Sequence, residues 1–290
     1  MMNKINILVC CHKECELPKN DIYLPIHVGR AISKINLDIQ PDDLMEGKSC
    51  DNISDLNGIF CEMTALYWAW KNLYTRGADV EYIGLCHYRR YFDADKHWLK
   101  RSFMNGAKKT ESIVRIMLGR PQGISAYEQR TIIKSLADKR FEDSNERLAK
   151  LIPNYEMLYS SPVKCFNTDM NTFFSTIGNP YLVLMKEIIA NEYGEYLDVY
   201  ERVMSGSRLY AANMVILKVR CFDEYCTFVF GVLMRHLELV KERGICTSPE
   251  KEKIYARISG YLAEILTSTF IEQNKTKLRT RELGKFFVDC

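Results

Sequence analysis

The sequence predicts an α/β fold: a mixed, mostly parallel sheet flanked by helices, with a helical insertion. Three stretches carry this expectation. Ile5 to Cys10 is a short, β-branched apolar run, the pattern of a buried parallel strand. Cys61 to Tyr74 places Met63, Leu66, Tyr67, Trp70, Leu73 and Tyr74 at helical spacing, one core-facing stripe. Glu81 to Cys86 is a second apolar run that stops at His87-Tyr88-Arg89-Arg90. Strand, loop, helix, strand is the order of a nucleotide-binding α/β half, and such sheets bind ligands at the carboxyl ends of their strands.

The remaining elements follow in order. Asn20 to Gly29 is extended or looped, with Pro25 excluding a long helix, and residues 41–58 are rich in turn formers. From Asp93, Lys and Arg outnumber Asp and Glu, and Gly106, Gly119, Pro121 and Gly123 interrupt the pattern. Residues 93–160 therefore read as a partly helical, basic insertion in a single domain spanning 1–290. Tyr155 to Cys165 is extended. Tyr181 to Ala190 and Tyr193 to Met204 are helices, Tyr210 to Lys218 a buried strand headed by Asn213, and Phe222 to Val240 a long amphipathic helix. Lys251 to Phe270 is the last strong helix. Its Arg257, Gly260, Glu264 and Ser268 share a face separate from the apolar stripe. Residues 272–290 read as a basic tail that frays or touches a membrane surface.

Composition narrows the function classes. A net charge of +3 gives no field for nucleic acid, and the basic stretch has little aromatic interleaving. The eleven cysteines are scattered, several inside apolar runs and without paired C-x-x-C units, which indicates reduced thiols and no structural zinc. No stretch approaches the ~20 apolar residues of a membrane span, and the N-terminal run is too short for a signal peptide. The expected place is the cytoplasm, with peripheral contact at the inner face of a membrane.

Phosphate-loop, dinucleotide, nucleophile-elbow and H-E-x-x-H motifs are all lacking. A Cys-His hydrolase built on Cys61 or Cys86 with His12 or His87 is disfavoured, because Cys86 and His87 point to opposite faces of a strand. What remains is a polar constellation at strand ends: His12 and Lys13 after the first strand, His87, Tyr88, Arg89 and Arg90 after the second, and Asn213 later. Arginine forks match phosphate oxygens, and a departing diphosphate needs such charge. Lys71 and Asn72, on a second face of the Cys61–Tyr74 helix, are further candidates, although a helix buried on two sides is the plainer reading. For Arg89 and Arg90, the plainer alternative is an outward salt-bridge partner.

Several segments resemble a bacterial family, domain of unknown function 4422, found among capsular and exopolysaccharide glycosyltransferases. They are Asp51-Asn52-Ile53-Ser54; Asn57 with Cys61 to Asn72; Tyr82 to Phe92; Asn213-Met214-Val215-Ile216; Tyr225-Cys226; and Ala256-Arg257 with Gly260-Tyr261 and Glu264. Leu17 to Gly29 agrees as well. The resemblance implies a GT-A-like fold and transfer of a sugar from a nucleotide-diphosphate donor to a saccharide or lipid-linked acceptor. His12, Lys13, Asn52, Asn57, Lys71, Asn72, His87, Tyr88, Arg89, Arg90, Asn213 and Arg257 are the expected donor-binding residues. Glu264 is the first-choice base and Asp51 the second, with Glu62 orienting a neighbour. Such folds usually hold a divalent metal on an Asp-x-Asp strand end. At the analogous place this chain has His87-Tyr88-Arg89-Arg90, so no cofactor is expected, with Mn or Mg left open. A non-catalytic nucleotide-sugar- or saccharide-binding subunit of a polysaccharide assembly system is the alternative. It would keep the arginine site yet need no carboxylate facing it.

Overall fold

The computed structural model describes residues 4–74, 79–95, 126–128, 130–175, 179–245 and 256–288. Residues 96–125 of the expected basic insertion lie outside them, as do Cys246, Cys290 and the start of the helix expected from Lys251. Among the described residues, nine strands form the main sheet. The first five are β1 (Ile5–Cys11), β2 (Tyr23–His27), β3 (Gln40–Pro41), β4 (Tyr82–His87) and β5 (Arg90–Asp93). The others are β6 (Thr131–Ile133), β7 (Met157–Ser160), β8 (Val215–Lys218) and β9 (Thr280–Val288). The principal helices are α1 (Met63–Ala69), α2 (Lys139–Leu151), α3 (Asn179–Glu192), α4 (Leu197–Ser205), α5 (Val219–Glu242) and α6 (Ile258–Asn274).

β1 lies between β2 and β4, parallel to both, and β3 extends the parallel block beyond β2. Both faces of β1 are covered, so its apolar run is continuous instead of alternating. Leu8 and Cys10 face a core shared with α1, α3, α4, α5 and α6, whereas Ile7, Val9 and Cys11 face a second core containing Phe141 of α2. β8 runs antiparallel between β4 and β7, and β7 pairs in parallel with β9. The β4–β8 seam is tight at Gly84, where a Cβ would stand 2.8 Å from Ile216 Cγ1 and 3.0 Å from the Val215 carbonyl.

Two sequence expectations are corrected here. The 272–290 segment is not a basic tail, because Thr280–Val288 is β9, pairing with β7 along its first half and with β5 along its second. Leu283, Phe286 and Val288 enter the core, and Lys285, only 1% exposed, is ion-paired with Glu128. The helix expected over Cys61–Tyr74 is corrected at its ends, since it begins at Met63, behind a sharp corner, and is α-helical only to Ala69. Residues Asn57–Phe60 form a single turn, and Cys61 takes φ 50° and ψ −131° before α1 begins. Asn57 fixes this corner by donating from Nδ2 to the Cys61 carbonyl at 2.7 Å and to Thr64 Oγ1 at 3.2 Å. Beyond Ala69 the helix widens to a π turn, Trp70–Tyr74. No disulfide forms among the described residues, and none of their helices is long and apolar enough to cross a membrane.

Candidate active site

The parallel register of β1 and β4 sets Cys10 opposite His87, so the chain leaves both strands at one point. A cleft of about 380 Å³ opens there. His12, His87, Tyr88 and Arg90 line it from the strand ends, and Asn57, Cys61 and Glu62 from the broken corner before α1. Arg257, Gly260, Tyr261 and Glu264 line it from the first turns of α6. Gly260 allows that approach: a Cβ there would meet Cys61 Sγ at 3.0 Å. Helix N-termini present unsatisfied N–H groups and a positive dipole end, so α6 adds to the attraction that Arg90 and Arg257 exert on anions.

A short buried turn, Ala211–Asn213, lies behind the cleft and is hydrogen-bonded to its lining residues Glu264, His87 and Glu62. Ala212 and Asn213 both adopt left-handed backbone angles, φ 67° and 52°, which side-chain-bearing residues adopt at a cost. The Ala212 peptide is what that strain places. Its N–H donates to Glu264 Oε1 at 2.7 Å, and its carbonyl lies 2.9 Å from His87 Nε2. Burial lowers the His87 pKa, so the neutral ring donates from Nε2 to that carbonyl. Asn213 is fully buried; it donates from Nδ2 to Glu62 Oε1 at 2.9 Å and accepts from Thr267 Oγ1 at 2.8 Å.

Burial raises Glu264 to about 7, with a further push from Glu62, against the opposing pull of the Ala212 N–H and Arg90. At neutral pH this carboxyl is poised between its two forms, the condition for general base work. Partial burial, with Lys13 and Arg257 nearby, lowers the pKa of His12. Burial and Glu62 hold Cys61 at about 11, and Cys86 stays well above the usual thiol range. Neither cysteine is a thiolate nucleophile at neutral pH.

Of the expected site residues, His12, Asn57, His87, Tyr88, Arg90, Arg257 and Glu264 meet in the cleft. Lys13 stands at its rim, Nζ 5.4 Å from the Tyr88 ring centre. Others go elsewhere. Arg89 is exposed in the turn between β4 and β5. Lys71 lies over the Trp70 ring at 3.5 Å on the π turn, and Asn72 is buried, donating to the Asp51 and Trp68 carbonyls. Asn52 closes a turn by accepting from Ser54 N and donating to the Cys50 carbonyl. Asp51 is exposed, accepts from the Tyr67 hydroxyl, and does not line the cleft. Glu62, Cys61 and Tyr261 line it without having been expected there as ligand contacts. The spacing of Tyr261 beside Gly260 and Arg257 is the signal that finds it.

The cleft's two carboxylates, Glu62 and Glu264, are each engaged by protein N–H groups, and no group of three or more His, Cys, Asp or Glu among the described residues is arranged to hold a metal ion.

The family profile described as "Domain of unknown function (DUF4422)" matches residues 6–275. The chain belongs to the DUF4422 family. No curated protein matches it. A solved structure, the apo form of the bifunctional glycosyltransferase WbbM, superposes on this DUF4422 chain with a TM-score of 0.73 at 21% identity. The match covers 99% of this chain and 46% of the other, so the DUF4422 chain spans about half the length of WbbM. The likeness is one of fold.

Proposed function

We propose that this chain is a GT-A-like glycosyltransferase that moves a sugar from a nucleotide-diphosphate donor to a saccharide or lipid-linked saccharide acceptor in capsule, exopolysaccharide or O-antigen synthesis. One observation carries the proposal: a single strand-end cleft holds Arg90, Arg257 and the α6 N-terminus together with a buried carboxyl, Glu264, raised to about 7. The fold likeness to WbbM, a bifunctional glycosyltransferase, agrees with it. The Glu264 carboxyl beside the cations favours catalysis over the binding-subunit alternative, which needs no such group.

On this reading Arg90 and Arg257 hold the donor diphosphate through charge-assisted hydrogen bonds. Glu264 accepts the proton of the acceptor hydroxyl as that oxygen bonds to the anomeric carbon. The carbon–oxygen bond to the β-phosphate breaks, its electron pair leaves with the diphosphate, and the anomeric centre inverts. Arginine charge does the work that a metal does in metal-dependent transferases.

Calorimetric titration of nucleoside diphosphates and nucleotide sugars, with and without EDTA, tests the clamp. Binding that survives EDTA, weakens about tenfold or more in Arg90→Ala and in Arg257→Ala, and is unchanged in Arg89→Ala is the expected result. Binding abolished by EDTA and indifferent to Arg90 and Arg257 would reject the arginine clamp.

A further inference from the structure

A second cleft, about 310 Å³, lies between the chain that leaves β1 and helix α2. Its floor is apolar, made by Leu17, Leu136 and Phe141, and its wall is polar, made by Asn145 with Glu142 and Glu146. Those three polar residues stand at i, i+3 and i+4 along α2, one face of the helix. Asn145 is only 3% exposed, and its side chain's one hydrogen bond within the described residues is accepted by Oδ1 from the Tyr23 hydroxyl at 2.8 Å. Its amide Nδ2 has no protein partner among the described residues and belongs to a residue that lines the cleft. That donor is open at the cleft surface, where a ligand or solvent can engage it. Glu142 and Glu146 are exposed and form no ion pair among the described residues. The outer lip is fixed, because Glu16 accepts from the Ser135 hydroxyl and the Leu136 N–H, each at 2.9 Å.

We propose that this cleft is a binding subsite for a neutral saccharide chain. The chemistry selects that class. Ionised carboxylates only accept hydrogen bonds and the Asn145 amide donates, so together they match hydroxyls, which do both. The apolar floor suits the C–H face of a sugar ring. Glu16, Glu142 and Glu146 against Lys19 give the cleft negative charge, which turns away phosphate and uronate groups, the reverse of the first cleft. Its volume is at the lower end for small-molecule sites, enough for a short stretch of glycan. The subsite deepens the proposed transferase function by giving the acceptor a second point of attachment, but its binding is independent of donor chemistry.

An array of neutral and acidic oligosaccharides, probed without any nucleotide sugar, tests the proposal. The expected outcome is retention on neutral glycans that falls about tenfold in Glu142→Ala/Glu146→Ala and in Asn145→Ala, yet persists in Arg90→Ala and Glu264→Gln. The double glutamate variant changes exposed side chains only, so its fold is safe even if Asn145→Ala loses its bond to Tyr23. No retention on any neutral glycan overturns the subsite, as does retention lost in the Arg90 and Glu264 variants but kept in the α2 variants. Binding of spermidine in place of glycans would also overturn it, showing an amine site instead. Failure of nucleotide binding in the first cleft, by contrast, leaves this result standing.

Discussion

Glu264 occupies a position that the fold tolerates at a cost. Its carboxyl is raised to about 7 chiefly because burial penalises the charged form. Between the ordinary carboxyl value and 7 the native state therefore binds a proton that the unfolded chain has released. Stability falls as pH rises through that window and is lowest above it. Glu264→Gln keeps an acceptor for the Ala212 N–H and removes the charge. Thermal or urea unfolding of the variant should show a gain of roughly 2–4 kcal/mol at pH 8 and little change at pH 4.5. Equal stability at both values would mean that the carboxyl is not raised. If Glu264 is the base, transfer should rise with pH through about 7 in the native protein, since the ionised form is the active one.

The face carrying Arg257, Gly260 and Glu264 was legible in the sequence, because a polar row on an otherwise apolar helix must look onto either solvent or a cavity. Asn213 and Asn72 were not. Whether an amide meets a ligand or ties two helices together depends on partners distant in sequence, here Glu62 and Thr267 for Asn213. Lys71 is a similar case, since the π turn sets its ammonium over Trp70.

Between elements, the decisive joint is the seam of β4 and β8, which carries His87 on one side and the Ala212–Asn213 turn just before the other. Gly84 keeps the two backbones close. Gly84→Ala pushes a Cβ into Ile216 and the Val215 carbonyl, and overpacking of this kind costs about 1–3 kcal/mol. A clear drop in melting temperature by circular dichroism is expected; an unchanged value would show that the seam yields freely. β4 could be read from its apolar run, whereas of the strand expected over Tyr210–Lys218 only Val215–Lys218 is extended, Ala211–Asn213 being a turn. The corner at Cys61 was not legible, because the positive φ of Cys61 leaves no periodic signal in the sequence. Only the side-chain bonds of Asn57 reveal the corner that turns Glu62 toward the cleft.

For the molecule as a whole, β9 closes the sheet. It joins β7 to β5, and β5 turns back from β4 at the His87–Arg90 pair. The C-terminal strand thus braces the arginine-bearing strand end from behind, with Arg90 5.9 Å from the Phe287 ring centre. A chain truncated after Arg279 loses both ladders and should lack a cooperative unfolding transition, measured by denaturant titration. A truncated chain that melts like the full one would show that the core does not need β9. The sequence disguised this strand because its lysine and arginine suggested solvent. Lys285 is inside only because Glu128, far away in sequence, supplies a carboxylate.

Whether Glu264 and the two cleft arginines perform glycosyl transfer together is tested most directly by product analysis with NMR. The protein is incubated with a panel of nucleotide sugars and neutral glycan acceptors, and the anomeric configuration of any new linkage is read against that of the donor. An inverted linkage and nucleoside diphosphate release are predicted, both reduced at least about a hundredfold in Glu264→Gln. A retained linkage, or full turnover by Glu264→Gln, would contradict the proposed mechanism.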